Sequence, residues 1–429
     1  MGAIYGQPFA IGSNKEGVEL NIDYGPTPPS DVSKLWVPLD SKPSFVEFNG
    51  EFMPYGNDYV DTTWAGTNMP AALFDVASAK VGTKIYLFGG YSYNAGMTPA
   101  SNKIYIYDTV SNTYKTSKAT LAYATYNACV AAYGTKVYIF GAYGTTTSNI
   151  IQEYDTITDT IKTKTGTISY QTLYGACAIA YKKYIYTFGG MTSNSSNGMT
   201  NYIGKYDVEA DSFTVTLSRA LPTKLYNAGA ILANGTIYIV GGMTSMGIYR
   251  GETKIYAFNP ETEAVSTPSV TLKSNKCAGC GYAAFGNKLY LFGGSYYYSS
   301  DSPTNQIQVF DADNMQTSIL DDTLPTTLAR CTCATVDDHI YIFGGGESPS
   351  FSNSKPALAT TRRFTVRTTL PYNHLKIFTD MYSKQTAIIN TDTIKLLTTV
   401  KEAYIGNSDN YAKLTTVYVH NGSTWQSIG

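Results

Sequence analysis

One heptapeptide recurs along this chain, with alternating aliphatic and aromatic residues that end in a glycine pair. The first copy is "KIYLFGG" at residues 84–90, and "KLYLFGG" at 288–294 is nearly the same peptide. The six copies end at Gly89-Gly90, Gly141-Ala142, Gly189-Gly190, Gly241-Gly242, Gly293-Gly294 and Gly344-Gly345, so their first glycines lie 48 to 52 positions apart. A fixed period of this length indicates an array of similar structural units.

Further landmarks in each unit predict four β-strands. A run of small residues such as "NACVAAY" precedes the heptapeptide, and a polar loop follows the glycines. A third strand ends in an aromatic residue and an Asp, as in Tyr154-Asp155, and a short fourth strand comes after a turn. We expect the glycine pair to let the backbone pass close to a neighbour, and the Asp side chain to bond the backbone of the turn.

The six repeats resemble those of the kelch family of β-propellers, which share this period. A lone four-stranded sheet leaves its faces unburied, and radial stacking covers them. The resemblance implies an all-β protein with a six-bladed kelch-type β-propeller over residues 58–369. We expect an extended N-terminal attachment segment over 1–57 and a small β-rich C-terminal domain over 370–429.

Ring closure can be predicted from the last repeat. Its third strand is "RRFTV" at 362–366, but the "RTTLPYN" that follows is a poor fourth strand. The stretch "YVDTTW" at 59–64 lies upstream of the first repeat at a suitable spacing. We therefore expect the N-terminal segment to supply the outer strand of blade 6, which removes an open edge.

The two ends of the chain resemble segments of virion structural proteins from phages and prophages of gut bacteria. The segments are "PPSDVSKLWVPLDSKPS" near the start and "AYIGNSDNYAKLTTVYVHNGSTWQSI" at the end. The resemblance implies a non-enzymatic virion protein of a tail, fibre or baseplate appendage, assembled in the host cytoplasm. Its expected partners are other virion proteins and a host cell-surface polysaccharide, and a homo-oligomer stays open. The start of the chain has no secretory signal, which fits this expectation.

Composition argues against two other classes of partner. The net charge is −1, only 15% of the residues are charged, and Lys and Arg are scattered. A nucleic-acid-binding protein would show a basic patch, so we expect no nucleic-acid partner. No apolar run reaches transmembrane length, so we expect no membrane insertion.

Catalytic and metal-binding patterns are sparse. The chain has three His and lacks a P-loop and a G-x-S-x-G motif, so we predict no enzyme activity and no cofactor. The alternative is a carbohydrate-active kelch enzyme such as a sugar mutarotase, for which only Arg219, Arg250 and Arg330 could approach the axis. Cys277-x-x-Cys280 and Cys331-x-Cys333 lie on equivalent inner strands, but the first spacing puts its thiols on opposite faces. We therefore predict small buried thiols and no metal site.

A binding surface is the remaining prediction. Alternating strand directions bring the loops between second and third strands to the same end as the links between blades. These loops are rich in Tyr, Ser, Asn and Gly, which suits carbohydrate binding or a protein partner; a scaffold that only decorates the particle is the third possibility. The candidate ligand-binding residues are Tyr91, Tyr93, Tyr126, Tyr174, Tyr226, Tyr249, Arg250, Tyr296, Tyr297 and Tyr298.

Overall fold

The computed structural model describes two compact units, Tyr59–Thr365 and a second one made of Met1–Asp58 with Val366–Gly429. In the first unit the described residues are 59–60, 64–92, 100–144, 147–169, 172–193, 198–216, 220–245, 251–295, 303–347 and 357–365, and residue 366 is described as well. In the terminal segments only the β-strands are described.

The strands fall into three groups along the chain. The N-terminal segment holds β1 (Val18–Gly25), β2 (Leu35–Pro38), β3 (Phe45–Phe48) and β4 (Glu51–Pro54). The central unit holds β5 (Tyr59–Val60), β6 (Ala77–Val81), β7 (Lys84–Phe88), β8 (Ile104–Asp108), β9 (Thr113–Thr116), β10 (Cys129–Tyr133), β11 (Lys136–Ala142), β12 (Ser148–Asp155), β13 (Thr160–Thr167), β14 (Cys177–Tyr181), β15 (Tyr184–Phe188), β16 (Ile203–Asp207), β17 (Ser212–Thr216), β18 (Gly229–Ala233), β19 (Thr236–Val240), β20 (Ile255–Phe258), β21 (Val265–Ser266), β22 (Gly281–Phe285), β23 (Lys288–Phe292), β24 (Ile307–Asp311), β25 (Gln316–Ile319), β26 (Thr332–Val336), β27 (His339–Phe343) and β28 (Thr361–Thr365). The C-terminal segment holds β29 (His374–Thr379), β30 (Ala387–Asn390), β31 (Thr393–Leu396), β32 (Val400–Asn407), β33 (Asn410–Leu414), β34 (Tyr418–His420) and β35 (Trp425–Ser427).

The central unit is a ring of six four-stranded antiparallel sheets, one for each sequence repeat. Blades 1 to 5 are β6–β9, β10–β13, β14–β17, β18–β21 and β22–β25, in sequence order from the axis outward. The recurring heptapeptide forms the second strand of every blade, and its alternating side chains are buried on both faces of the sheet. The predicted all-β, six-bladed propeller is therefore confirmed.

Blade 6 is completed by the N-terminal strand, as predicted. Its order is β26, β27, β28 and β5, with Val60 paired to Phe364 and Tyr59 to Thr365. The backbone N–H of Val60 also donates to Asp322 Oδ2 at 2.6 Å. Beyond this strand the Trp64 ring packs edge-on against Tyr341, so the closure has both backbone and side-chain contacts.

The core of the ring lies between neighbouring blades. One cluster joins Ile85 and Tyr107 of blade 1 to Tyr341 and Phe343 of blade 6. Similar clusters fill four of the other five seams, and at the seam between blades 5 and 6 the rings of Tyr290 and Phe292 pack against Phe364. Because each blade covers one face of the next, the apolar side chains on both faces of every sheet leave water.

The glycine pair is required by a close backbone approach. Gly89 and Gly90 have φ of +66° and +86°, a conformation that suits glycine. A Cβ on Gly89 would lie 2.2 Å from the carbonyl oxygen of Thr125, in the link to the next blade. The predicted role of the pair is confirmed for this blade.

The turn between the third and fourth strands is held by the predicted Asp. Asp155 Oδ1 accepts hydrogen bonds from the backbone N–H groups of Ile157 and Thr158, at 2.9 and 3.0 Å. The same pair of bonds is made by Asp108, Asp207, Asn259 and Asp311 in their blades. The "DADN" sequence at 311–314 is thus part of this turn.

A further polar residue, five positions after the aromatic that ends the third strand, joins neighbouring blades. Asp211 accepts from the Tyr206 hydroxyl at 2.6 Å and from the N–H of Thr165, in the preceding blade, at 2.9 Å. Asp159 and Asn112 act in the same way, on blade 1 and on the segment that follows β5. Blades 4 and 5 have Phe in place of Tyr, with Glu263 and Met315 at the later position.

The second unit is assembled from both ends of the chain. Its nine-stranded sheet has the order β35-β34-β2-β1-β29-β32-β33-β3-β4, and β30 and β31 form a separate pair. The domain boundaries after residues 57 and 369 stay predictions. Within the described part of the chain, no helix has the length and apolar character needed to cross a membrane.

Candidate functional site

The two ends of the propeller differ in their connections. We call the end with the links between blades and the loops after the glycine pairs the loop end; the opposite hairpin end carries the two other turns of each blade. The first two strands of blade 1 are joined by residues 82–83, whereas residues 89–103 join its second and third strands. Phe74, in the link before β6, forms a bridge with Tyr91 after the glycine pair, which places both segments at the same end.

Six residues in the left-handed conformation surround the axis at the loop end of the inner strands. They are Asp75, Asn127, Gly175, Asn227, Gly279 and Arg330, with φ between +48° and +66°. At five of the six seams a backbone N–H of this ring donates to the carbonyl of the ring residue in the preceding blade, at 2.7 to 3.0 Å. At the seam between blades 4 and 5 the Tyr282 hydroxyl lies 3.2 Å from the Asn227 carbonyl oxygen.

The ring contains one buried ion pair, across the seam where the last blade meets the first. Arg330 Nε donates to Asp75 Oδ1 at 3.0 Å, and its Nη2 donates to Oδ2. Both side chains are 2% exposed. The guanidinium also lies 5.0 Å from the ring centre of Tyr91 and 5.5 Å from that of Phe74. These contacts hold an arginine in the left-handed conformation at position 330, at a place where the other blades use Asp, Asn or Gly.

A cavity of 220 Å³ lies on the axis and is lined by residues of all six blades. Asn127 and Asn227 line it, together with the small side chains of the inner strands, such as Ala178 and Ala230. Asn127 Nδ2 donates to the Tyr226 hydroxyl at 2.7 Å. The Asn227 carboxamide is half-buried, and its Oδ1 would lie 2.8 Å from a Cβ on Gly175. The cavity therefore presents uncharged hydrogen-bonding groups.

The six cysteines are free thiols, five of them buried and Cys177 half-buried. Cys331 and Cys333 both point toward Gly281 of the neighbouring blade, as the C-x-C spacing predicts. Burial raises the pKa of the Cys177 thiol to about 12 and those of Cys280 and Cys333 well above their usual value. In the described part of the chain, no three His, Cys, Asp or Glu residues are grouped to hold a metal ion.

Four of the candidate ligand-binding residues belong to an aromatic arc at the loop end. The arc is defined by Phe74, Tyr91, Tyr126, Tyr143, Tyr174 and Tyr226, whose neighbouring ring centres lie 3.9 to 6.0 Å apart. Tyr91 is 1% exposed, Tyr174 and Tyr226 are 5% exposed, and Tyr126 is half-buried. Burial raises the pKa of the Tyr91, Tyr126 and Tyr174 phenols.

The remaining candidates, Tyr93, Tyr249, Arg250, Tyr296, Tyr297 and Tyr298, lie outside the described residues, as does Arg219. The role of all ten candidates as ligand contacts stays a prediction. The structure does bring Arg330 to the axis, but its guanidinium is paired with Asp75.

The arc is confined to blades 1 to 4. Phe74 and Tyr91 of blade 1 form a bridge, and the equivalent two positions in blades 2 to 4 are also occupied by aromatic residues or Met. In blade 5 these two positions are Ala278 and Ser295, and in blade 6 they are Ala329 and Gly346. Among the described residues, these bridge positions are therefore asymmetric, with bulky side chains in blades 1 to 4 and small ones in blades 5 and 6.

Two protein-family models match the ring in overlapping halves. The Attractin/LZTR1 beta-propeller model matches residues 55–259, and the KLHDC2/KLHL20/DRC7 Kelch-repeats domain model matches residues 175–369. The ring is a kelch-type β-propeller. No curated protein matches the chain. Kelch propellers are generally binding domains and not enzymes, and their presence suggests a protein-interaction module.

The ring of left-handed residues is the feature of the candidate site that sequence reasoning missed. Its signal is the residue two positions before the start of each inner strand, which is Asp, Asn or Gly in five blades. These residue types tolerate positive φ, so their recurrence at one position of the repeat could have indicated the ring.

Proposed function

We propose that this protein is a non-enzymatic binding module that contacts its partner through the loop end of the propeller. The observation that carries the proposal is the difference between the two ends. At the hairpin end the chain turns tightly, and Asp side chains fix the turns. The loop end has the long connections, the aromatic arc and the polar cavity.

The partner that fits best is a glycan on a bacterial surface, bound by a protein of a phage tail, fibre or baseplate. Uncharged amides and hydroxyls around the axis can bond sugar hydroxyls, and aromatic rings stack on the C–H faces of sugars. The resemblance of the two chain ends to virion proteins supports a place in the virion. Another virion subunit is the competing partner at the same face.

The test is saturable binding of the purified full-length protein to surface polysaccharides extracted from gut bacteria and immobilised. One variant changes Tyr296, Tyr297 and Tyr298 to Ala in a loop of the loop end. A matched variant changes Val110 and Ile157 to Ser; these side chains are 80% and 75% exposed in turns of the hairpin end.

We expect the polysaccharide to bind the intact protein and the hairpin-end variant equally, and the triple-Ala variant at least tenfold more weakly. Binding that only the hairpin-end substitutions remove would contradict the use of the loop end. If no polysaccharide binds while other virion subunits do, the glycan is wrong and the partner is a protein.

A further inference from the structure

The axial cavity has the size of a small ligand. Its volume is 220 Å³. Pockets for drug-sized ligands begin at about 300 Å³, so a long oligosaccharide cannot enter it. A single sugar unit is the part of a glycan that this space can accept.

The charges at the cavity cancel each other. Asp75 and Arg330 form a two-point ion pair, and each of their side chains is 2% exposed. The half-buried polar side chains on the wall include the carboxamides of Asn127 and Asn227 and the hydroxyl of Ser78. A charged ligand would lose its hydration without gaining an opposite charge, whereas a hydroxylated neutral ligand can exchange water for these amides.

Asn227 is the side chain best placed to contact a ligand in the cavity. It lies at the loop end of the cavity, on a left-handed residue whose counterparts in blades 3 and 5 are glycines. Its carboxamide has a donor NH2 group and an acceptor oxygen, so it can accept a hydrogen bond from one sugar hydroxyl and donate one to another.

We infer that the axial cavity binds one neutral sugar unit, the terminal unit of a bound glycan, with the Asn227 carboxamide as a direct contact. The inference rests on the proposed function, because it takes the loop end to face the glycan. It adds the ligand class at the axis, an uncharged hydroxylated ring, and it rejects uronic and other acidic sugars.

The first experiment titrates free D-galactose, N-acetyl-D-glucosamine and L-rhamnose into the full-length protein, followed by saturation-transfer NMR. D-Galacturonic acid is the charged comparison. The variant Asn227→Gly keeps the left-handed backbone, and Asn234→Gly is its matched control. Asn234 also has positive φ and lies in the same blade, in the turn between β18 and β19 at the hairpin end.

We expect at least one neutral sugar to bind, with about tenfold loss in Asn227→Gly and no change in Asn234→Gly. One lost hydrogen bond of about 1.5 kcal/mol corresponds to about that factor. Binding of the uronic acid alone, or equal binding by both Gly variants and the intact protein, would overturn the inference.

A second measurement locates the ligand without any substitution. Cys177 lines the cavity and is the half-buried thiol among the six. Iodoacetamide labels Cys177 slowly even in alkaline buffer, because burial raises the pKa of its thiol to about 12. Labelling followed over hours by mass spectrometry of the Cys177 peptide should slow at least threefold further in the presence of the neutral sugar. Unchanged labelling at saturating sugar would place the sugar elsewhere.

Failure of this inference differs from failure of the proposed function. Immobilised polysaccharide that binds the protein and its Asn227→Gly variant equally would leave the loop-end proposal intact and remove the cavity from it. A protein that binds no polysaccharide and no free sugar would contradict both.

Discussion

Gly229 supplies the most direct test of how neighbouring blades are matched. Gly229 faces Tyr282 across the seam between blades 4 and 5. A Cβ on Gly229 would lie 2.3 Å from Cδ1, 2.5 Å from Cγ and 2.9 Å from Cβ of that tyrosine. The ring cannot move away easily, because its hydroxyl accepts from Gly242 N–H at 3.0 Å and lies 3.0 Å from the Cys277 carbonyl oxygen. Gly229 is not among the residues with positive φ, so Gly229→Ala tests the clash alone.

The expected effect follows from two opposing terms. Overpacking a tightly packed site lowers the free energy of unfolding by roughly 1–3 kcal/mol. Alanine restricts the unfolded chain more than glycine does, which returns about 0.4–1 kcal/mol. We therefore expect Gly229→Ala to lower the free energy of unfolding by roughly 1–2 kcal/mol and the Tm of the propeller by a few degrees.

A double-mutant cycle separates the clash from other causes. Tyr282→Ala alone should lower the free energy of unfolding by about 3 kcal/mol, since a half-buried aromatic ring that packs across the seam is lost. In that background Gly229→Ala should become neutral or stabilising. Val130→Ala is the control, because Val130 packs in the cluster shared by blades 1 and 2, and its effect should add to that of Gly229→Ala.

Calorimetry and urea unfolding of the full-length variants measure these changes. A Gly229→Ala variant as stable as the original protein would refute the clash between this Cβ and the Tyr282 ring. A loss of stability that is the same with Tyr282 and with Ala at position 282 would refute it too.

Three further perturbations test the seams and the acid stability of the propeller. Changing either Asp75 or Arg330 alone to Asn should lower the free energy of unfolding by about 3–5 kcal/mol, because a buried charge loses its partner. The variant with both residues changed to Asn should lose less stability than either single variant, and a urea midpoint that falls further in this double variant would contradict the reasoning. Asp211→Ala should lower the free energy of unfolding by roughly 2–3 kcal/mol, since it removes hydrogen bonds to the preceding blade and leaves Ala at φ of +52°. Tyr206→Phe removes only the hydroxyl that bonds Asp211 and should lower it by about 1 kcal/mol. Equal thermal stability of the two variants would count against the inter-blade role of Asp211. Glu153 is 4% exposed, and its bonds to lysines and a tyrosine hold its pKa at about 2, so the stabilisation by its carboxylate is present above about pH 4.5 and is lost as the pH falls toward 2. Glu153→Gln should therefore lower the free energy of unfolding by roughly 1–2 kcal/mol at pH 7 and flatten the acid side of the curve of stability against pH. A curve parallel to that of the original protein would refute the assignment.

The repeat made much of the fold predictable. A heptapeptide that alternates aliphatic and aromatic residues and ends in glycine is already a β-strand that needs cover on both faces, and six copies define a closed ring. The Asp after the third strand predicts its own turn, because its side chain reaches the backbone two and three residues ahead. The strand around Tyr59 could be assigned to blade 6 because the last repeat lacks a fourth strand.

The candidate site was predictable only in part. The sequence predicted that the Tyr-rich loops and the aromatic residues before the inner strands lie at the same end of the ring, and the bridge between Phe74 and Tyr91 places them there; that this end binds a ligand stays a prediction. Composition could not show that Tyr174 and Tyr226 pack together, since their rings meet across two blades and lie about 50 residues apart in sequence, or that Tyr91 is buried against Phe74 and Tyr126.

What the sequence alone determined is local: the strands, the turns, the number of blades and the thiols as small residues of the inner strands. Contacts within one repeat need only a few neighbouring residues, so the sequence encodes them directly. What the tertiary structure decided lies across the seams. Asp75 meets Arg330 only because the ring closes and brings blade 1 beside blade 6, and Gly229 makes room for Tyr282 only because blade 5 packs on blade 4. The cavity with Asn227 on its wall likewise exists only once all six inner strands surround one axis.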